Sequence, residues 1–258
     1  GSEMCIRDRY NSEASILDTI RSLKEQTYPR ANIEWILVDG GSTDKTLELI
    51  QQQDFHPDQW VSEPDNGIYD ALNKGVKMAT GDFIGFLHAD DVLASPGVLY
   101  RISCALQNSG ADGVYGDLQY VRPLENGEFG LVRHWKSGVY YRRKLSWGWM
   151  PPHPTFYLRR EIYERTKLVN GEYFDTTYSC AAYYDFMTRV LGTYEVEPAY
   201  LMMVLVKMRV GGVSNRSLKH IITKSKEDWR VIRRNHIGHL HTLLWNNLGK
   251  LSQFFQKG

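Results

Sequence analysis

The chain predicts an α/β fold, a mostly parallel sheet flanked by helices. Short apolar runs of strand length alternate with amphipathic segments of helical period through its first hundred residues. Clusters of Gly, Pro, Asn and Asp fall between them as turns. Acidic residues stand at the ends of two of the apolar runs, where open α/β sheets hold their ligands.

Each element follows from its own residues. Ile16, Leu17, Ile20 and Leu23 share one face of a first helix, and Pro29 follows as a breaker. Residues 33–38 form a strand that ends in Asp39-Gly40-Gly41-Ser42, after which Thr43-Asp44 can cap a helix holding Leu47 and Ile50. Residues 59–62 are a further strand, and Pro64-Asp65-Asn66-Gly67 is a turn. Ile68, Ala71, Leu72, Gly75, Val76 and Ala79 line the inner side of the next helix, and Gly81 ends it. Phe83-Ile84-Gly85-Phe86-Leu87 reads as a buried strand delivering His88, Asp90 and Asp91 to its end.

The second half has a different character. Residues 113–121 and 129–135 flank Glu125-Asn126-Gly127 as a hairpin. An aromatic-rich loop spans residues 146–154, and residues 155–158 are strand-like. Residues 183–191 read as a helix with Asp185 in its first turn, and residues 199–206 have strand length. From about Ser217 the tail is helical and basic, with Lys219, Lys224, Lys226, Arg230, Arg233, Arg234 and Lys250. Such an amphipathic segment either lies on an anionic membrane surface or packs on the domain.

Composition narrows the function classes. At 258 residues, 42% hydrophobic and 24% charged, the chain has enough apolar material for one large domain and is not disordered. A formal net charge of +1 argues against bulk attraction to nucleic acid, and no nucleic-acid partner is expected. Cys5, Cys104 and Cys180 lack metal-ligand spacing and read as free thiols of a reducing compartment. No apolar run approaches the roughly 20 residues that span a bilayer, and no signal-peptide pattern opens the chain. The expected location is cytoplasmic, with peripheral contact on the inner face of the plasma membrane through the tail. Gly1-Ser2 looks like a cloning remnant, and Met4-Cys5-Ile6-Arg7-Asp8-Arg9 fits neither an amphipathic helix nor a good strand, so residues 1–9 are expected to be a tag or an atypical start.

Adjacent carboxylates at a strand end have three readings: a solvated turn, a helix cap before Pro96, or a site for a hard cation. Mg²⁺ and Mn²⁺ take oxygen ligands, commonly one or two carboxylates plus substrate phosphates. A cation would remove the repulsion between Asp90 and Asp91, and would stabilise a diphosphate as it leaves.

Four ordered motifs carry a resemblance. They are residues 35–44, ending Asp39-Gly40-Gly41-Ser42-Thr43-Asp44; residues 65–75, from Asp65-Asn66-Gly67 through Asn73-Lys74-Gly75; Ala79-Thr80-Gly81-Asp82; and Phe86-Leu87-His88-Ala89-Asp90-Asp91. The chain resembles the family 2 glycosyltransferases from Tyr10 onward, and within them bacterial enzymes of extracellular polysaccharide and O-antigen assembly. His153-Pro154-Thr155-Phe156 and Met208-Arg209-Val210-Gly211-Gly212 also look like this subgroup.

The resemblance implies a GT-A nucleotide-diphospho-sugar transferase domain over residues 10–214. Its mixed sheet is flanked by helices, and basic amphipathic helices extend it over residues 215–258. It implies inverting transfer of a sugar from a nucleoside-diphosphate-sugar to a glycan or lipid-linked acceptor, with Mn²⁺ or Mg²⁺ as cofactor. Asp90 and Asp91 match the acidic motif that holds the cation, with Asp90 also at the ribose. Tyr10, Asn11, Asp39, Asp65, Asn66, Gly67, Asn73 and Lys74 match donor-binding positions. Trp147, Trp149 and His153 fall on the acceptor side.

Four departures from the family pattern stand out. His88 replaces a common Asp and is a further candidate ligand. Gly40 replaces a second Asp at the base pocket. The start of the chain is charged where an apolar strand belongs. Tyr183 occupies the position of the catalytic carboxylate, and a Tyr hydroxyl, with an ordinary pKa of about 10, is a poor base at neutral pH. Asp185 is the remaining candidate base, although two residues along a helix turn a side chain by about 200°. A non-catalytic nucleotide-sugar-binding protein is therefore the rival reading. A nucleotidyltransferase would need a Gly-rich basic loop after the first strand, and Tyr10-Asn11-Ser12-Glu13-Ala14-Ser15 lacks one.

Overall fold

Side-chain alternation along the strands decides which face of the sheet each residue covers. In the computed structural model, which describes residues 2–7, 11–210, 218–238 and 241–242, β2 (Ile33–Asp39) sends Ile36 and Val38 to one face and Trp35 and Leu37 to the other. β4 (Phe83–His88) likewise divides Ile84 and Phe86 from Phe83 and Leu87. All eight are buried, so both faces require covering layers. One layer comes from α1 (Ile16–Lys24), α2 (Thr46–Gln51) and α4 (Val98–Ser109), through Ile16, Ile20, Ile50 and Ile102. The other comes from α3 (Ile68–Met78), α5 (Arg160–Arg165), α6 (Ala182–Thr188) and α7 (Leu218–Arg234), through Leu72, Ile162, Phe186 and Val231.

The sheet runs β3 (Gln59–Ser62), β2, β1 (Ser2–Arg7), β4, β8 (Tyr157–Arg159), β6 (Gly113–Pro123), β9 (Ala199–Arg209) and β5 (Asp91–Leu93). β7 (Phe129–Trp135) pairs with β6 as the expected hairpin. The first four strands are parallel, whereas β8 runs antiparallel to β4 and to β6. The sheet is therefore mixed, and the parallel half is the half in which strands and helices alternate.

Two features depart from the strand-by-strand reading. The start of the chain does form a strand: Ser2–Arg7 lies between β2 and β4, paired in parallel with both. Its neighbours decide this. β2 and β4 each turn a row of backbone donors and acceptors toward the gap, and an extended segment satisfies both rows whatever its side chains. Gly85, in the middle of β4, is the second feature. A Cβ there would sit 2.0 Å from the Tyr157 ring, so only glycine lets β8 lay that ring across β4.

α7 docks on the domain. Val231 and Ile232 are fully buried beneath it. Arg234 pairs with Asp175 at 2.6 Å, Arg230 donates to Thr177 Oγ1 at 3.0 Å and lies over the Tyr178 ring, and Lys224 pairs with Asp228. These three basic groups pair with the protein itself, while Lys226 and Arg233 of the same helix are exposed; residues 243–258 lie outside the described residues. Among the described residues no helix is long and apolar enough to cross a membrane, and Cys104 and Cys180 are free thiols.

Two carboxylates hold α7 down. Glu227 receives Ser179 N at 2.9 Å, Ser179 Oγ at 2.7 Å, Cys180 N at 2.9 Å and Ala181 N at 3.0 Å. Burial pushes the Glu227 and Asp175 carboxyls up, but their hydrogen bonds, with Arg234 assisting Asp175, outweigh it and hold both below the ordinary range. Their contribution is complete above the unfolded value of about 4 and is lost as pH falls through the lower folded values. Thermal unfolding across the acid range tests this: Glu227→Gln is expected to flatten the loss of stability below about pH 4.

Candidate active site

The register of the parallel strands brings the sequence motifs to one edge. Arg7 of β1 pairs with Val38 on one side and His88 on the other, and Asp39 pairs with Ser62. The loops after β2, β3 and β4 therefore open at the same carboxyl edge.

The first loop is stitched by its own side chains. Asp39 is 1% exposed, and its carboxylate accepts Gly41 N at 3.1 Å, Ser42 N at 3.0 Å and Ser42 Oγ at 2.6 Å, as well as the Ser62 hydroxyl. Asp39 thus organises the loop and does not project into the cleft. Asn11, at φ 61° in the left-handed region that Asn tolerates, accepts Thr43 N at 2.9 Å and Asp44 N at 3.3 Å, and its own N–H donates to Ser42 Oγ. Tyr10 lies outside the described residues.

The second loop leans on the first. Asp65 accepts Gly67 N at 2.8 Å, and its other oxygen would lie 2.8 Å from a Cβ on Gly40. The Asp65 carboxylate thus fills the space beside Gly40, which explains why a side chain there would need the loop to move. Asn66 and Gly67 are exposed at its tip. Lys74 pairs with Glu63 at 2.9 Å and Asp70 at 3.4 Å, and the Glu63 hydrogen bond leads in holding its ammonium above the ordinary value.

Asn73 has a different task from the donor contact expected of it. It is 1% exposed, gives Nδ2 to Phe174 O at 2.9 Å, and accepts Tyr173 N and Phe174 N at 2.9 Å each. It ties α3 to the chain entering α6.

At the end of β4 the three candidate ligands diverge. Asp90 is partly exposed at the cleft, His88 is buried with its ring toward His153 and Tyr183, and Asp91 is fully buried as the first residue of β5. Thr19 Oγ1 of α1 donates to the carbonyls of both Ala89 and Asp91, at 3.0 and 2.7 Å, and so fixes the turn between them. Among the described residues no group of three His, Cys, Asp or Glu side chains could hold a metal ion. Among the described residues, then, Asp90 is the partly exposed carboxylate of this turn, with Asp91 and His88 buried behind it. A single open carboxylate does fit the way Mg²⁺ and Mn²⁺ bind, with phosphate oxygens and water completing the shell.

The far wall of the cleft is aromatic. Tyr183 packs on His153 with ring centroids 4.4 Å apart, on Phe174 at 5.2 Å, on Tyr69 at 6.1 Å and on Phe86 and His88 at 6.2 Å. Desolvation of its packed ring pushes the His153 imidazole down to about 4, so it is neutral at pH 7. Trp149 gives its Nε1–H to Ser137 O at 2.9 Å and packs on Tyr115 and Tyr140, which makes it part of the wall's support. Trp147 is 58% exposed and leans on His241.

Asp185, the expected base, faces the opposite way. It is fully buried, pairs with Arg189 Nε at 3.1 Å, and accepts Asn235 Nδ2 from α7 at 3.1 Å. Arg189 also donates to the carbonyls of Thr166 and Tyr173. The angle between residues 183 and 185 on one helix explains the split: Tyr183 turns its ring to His153 and Phe174 with its hydroxyl enclosed, and Asp185 turns to the helix layer behind. The i,i+4 spacing of Asp185 and Arg189 was the available signal for this pair. Asp185→Ala leaves a buried guanidinium unpaired and is expected to cost about 3–5 kcal/mol of stability in urea unfolding.

Comparison with known proteins follows the same geometry. The family model described as "Glycosyl transferase family 2" matches residues 9–187. An uncharacterized glycosyltransferase of Mycobacterium tuberculosis is 37% identical over 101 residues, which are 39% of this chain and only 38% of that protein. A PGL/p-HBAD biosynthesis glycosyltransferase of the same organism is 29% identical over 214 residues, covering 80% of this chain and 76% of the relative. Among solved structures, S. aureus TarS 1-349 in complex with UDP superposes with a TM-score of 0.66 at 19% identity, over 98% of this chain and 70% of that one. The mannosyltransferase PcManGT from Pyrobaculum calidifontis, in complex with GDP-Man and Mn²⁺, gives 0.65 at 19% identity, over 97% and 70%. These structures share the GT-A fold. With the family model covering more than half of its length, the chain belongs to glycosyltransferase family 2.

Proposed function

We propose that the chain transfers a sugar, with inversion, from a nucleoside-diphosphate-sugar to a hydroxyl of a glycan or lipid-linked acceptor in cell-surface polysaccharide synthesis. One observation carries the reading. The parallel register gathers the three loops at one edge, with Asp90 as the partly exposed carboxylate of the β4 turn. Structural neighbours hold UDP, UDP-GlcNAc, or GDP-Man with Mn²⁺, which supports a nucleotide-sugar donor and a divalent cation. The PGL/p-HBAD relative supports a surface-glycolipid or glycan acceptor.

In this reading Asp90 holds the cation together with the donor diphosphate. A bound cation supplies charge neutralisation to the departing diphosphate. The rigid loops stitched by Asp39 and Asn11 fix the nucleotide end, and the aromatic wall of Tyr183, Phe174 and His153 excludes water from the acceptor side. The acceptor oxygen forms a bond to the anomeric carbon as the bond from that carbon to the phosphate oxygen breaks, its electron pair leaving with the diphosphate, and the hydroxyl proton passes to solvent or to the departing diphosphate.

The hydroxyl proton finds no carboxylate on α6, because Tyr183 stands at the position the family gives to one and Asp185 is buried in its ion pair. That observation favours a second reading, a protein that binds the donor without turning it over.

Two measurements test these readings. In a thermal-shift panel of UDP, GDP, UDP-GlcNAc and GDP-Man, at least one is expected to raise the melting temperature with Mn²⁺ present, as binding to the native state requires. Asp90→Asn should remove the Mn²⁺-dependent part, and no shift with any compound would sink the donor site. Tyr183→Asp discriminates between the two readings. Turnover that appears only in this variant means that the parent chain binds without transferring; turnover in the parent sustains the enzyme.

A further inference from the structure

α6 carries Tyr183 into the aromatic cluster of His153 and Phe174, yet its own N-cap residue supplies no side-chain acceptor. The N-cap residue is Ala181, whose side chain has no acceptor, and none of the backbone donors before it is met from within the helix. α7, 46 residues further along, accepts the N–H of Ala181 and those of the two residues before it, while the Tyr69 hydroxyl of α3 takes the N–H groups of Ala182 and Tyr183. Both Glu227 oxygens are used: one takes the N–H and hydroxyl of Ser179, the other the N–H groups of Cys180 and Ala181. A negative group at this point also complements the positive end of the helix.

α7 grips both sides of the same turn. Arg234 and Arg230 hold Asp175 and Thr177 upstream, while Asn235 holds Asp185 downstream. The chain from residue 175 to residue 185 is thus held at six residues, 175, 177, 179, 180, 181 and 185, by α7 and the Asn235 that follows it. Tyr183 lies inside this span, its ring against those of Tyr69, Phe86, His88, His153 and Phe174.

We infer that Glu227 is a positioning residue: by holding the N–H groups of residues 179–181 as the chain enters α6, it sets where the Tyr183 ring stands against His153 and Phe174. The aromatic wall is complete only when α7 is docked. The donor side, built on the loops after β2, β3 and β4, does not depend on it. The kinetic consequence rests on the proposed transfer reaction; the placement of the ring does not.

The test uses the full chain with 3-fluorotyrosine incorporated at position 183 and observed by ¹⁹F NMR. In the parent, the packed rings should displace the line from its position in unfolded chain. Glu227→Ala should move it back toward that position. Glu227→Asp, which keeps the charge but withdraws it by one methylene, should do the same, and Glu227→Gln, which keeps an acceptor oxygen at full reach, should hold the line closer to the parent than Glu227→Ala does. With UDP-GlcNAc and Mn²⁺ as probe, kcat for donor turnover should fall by about 10- to 100-fold in the Ala variant, with KM unchanged, as expected for a misplaced wall and an intact donor pocket. An unmoved line in folded Glu227→Ala, or in Glu227→Asp should the Ala variant not fold, overturns the inference and leaves Glu227 a stabilising contact alone. A parent that does not turn over UDP-GlcNAc counts against that donor and leaves the fluorine line to decide the placement.

Discussion

The double pairing of β1 is the constraint on which the rest depends. One extended segment satisfies the backbone edges of both β2 and β4, and its register aligns Val38 with His88 across it. Without that alignment the Asp39 loop and the Asp90 turn would open at different heights. With it, both faces of the parallel half are buried, and two helix layers must cover them. The site is a consequence of this packing: it lies where the strands end and the covering helices begin.

The loops at that edge are rigid because their polar groups are used locally. Asp39 and Asn11 satisfy backbone N–H groups that would otherwise face an open cleft, and Thr19 does the corresponding work for the turn between Ala89 and Asp91. Several residues that belong to the recognisable motifs thus act one step behind the cleft. Asn73 is the clearest case, with both ends of its amide given to the backbone of residues 173 and 174. A motif residue can be indispensable because it holds the chain that holds the substrate.

The two sides of the cleft are built by different physics. The loops after β2 and β3 are polar, tied by short-range hydrogen bonds within and between adjacent segments. The opposite side is aromatic and borrowed: the chain entering its helix is held by Glu227, its buried Asp185 is shared between Arg189 and Asn235, and Trp149 props the loop that approaches it. The presence of Tyr183 in place of a carboxylate falls on that second side.

What was legible in the sequence follows from range. Periods of two and 3.6 residues predict the strands and helices of the first half because each is decided by which of its own residues must be buried, and the Asn-Gly hairpin of β6 and β7 is decided by its turn. The motifs located the cleft edge and Asp90 for the same reason: strand, loop and acid are contiguous. The strand at Ser2–Arg7 escaped that reading because its ladder partners, not its side chains, impose it. Tertiary structure alone decided that Asp185 faces an arginine, that Asp91 is enclosed in β5, that Asp65 stands beside Gly40, and that Glu227 holds the chain entering a helix 46 residues away. Each of these is a contact between segments whose mutual distance no local period encodes, and burial rather than residue type sets what the carboxylate can do.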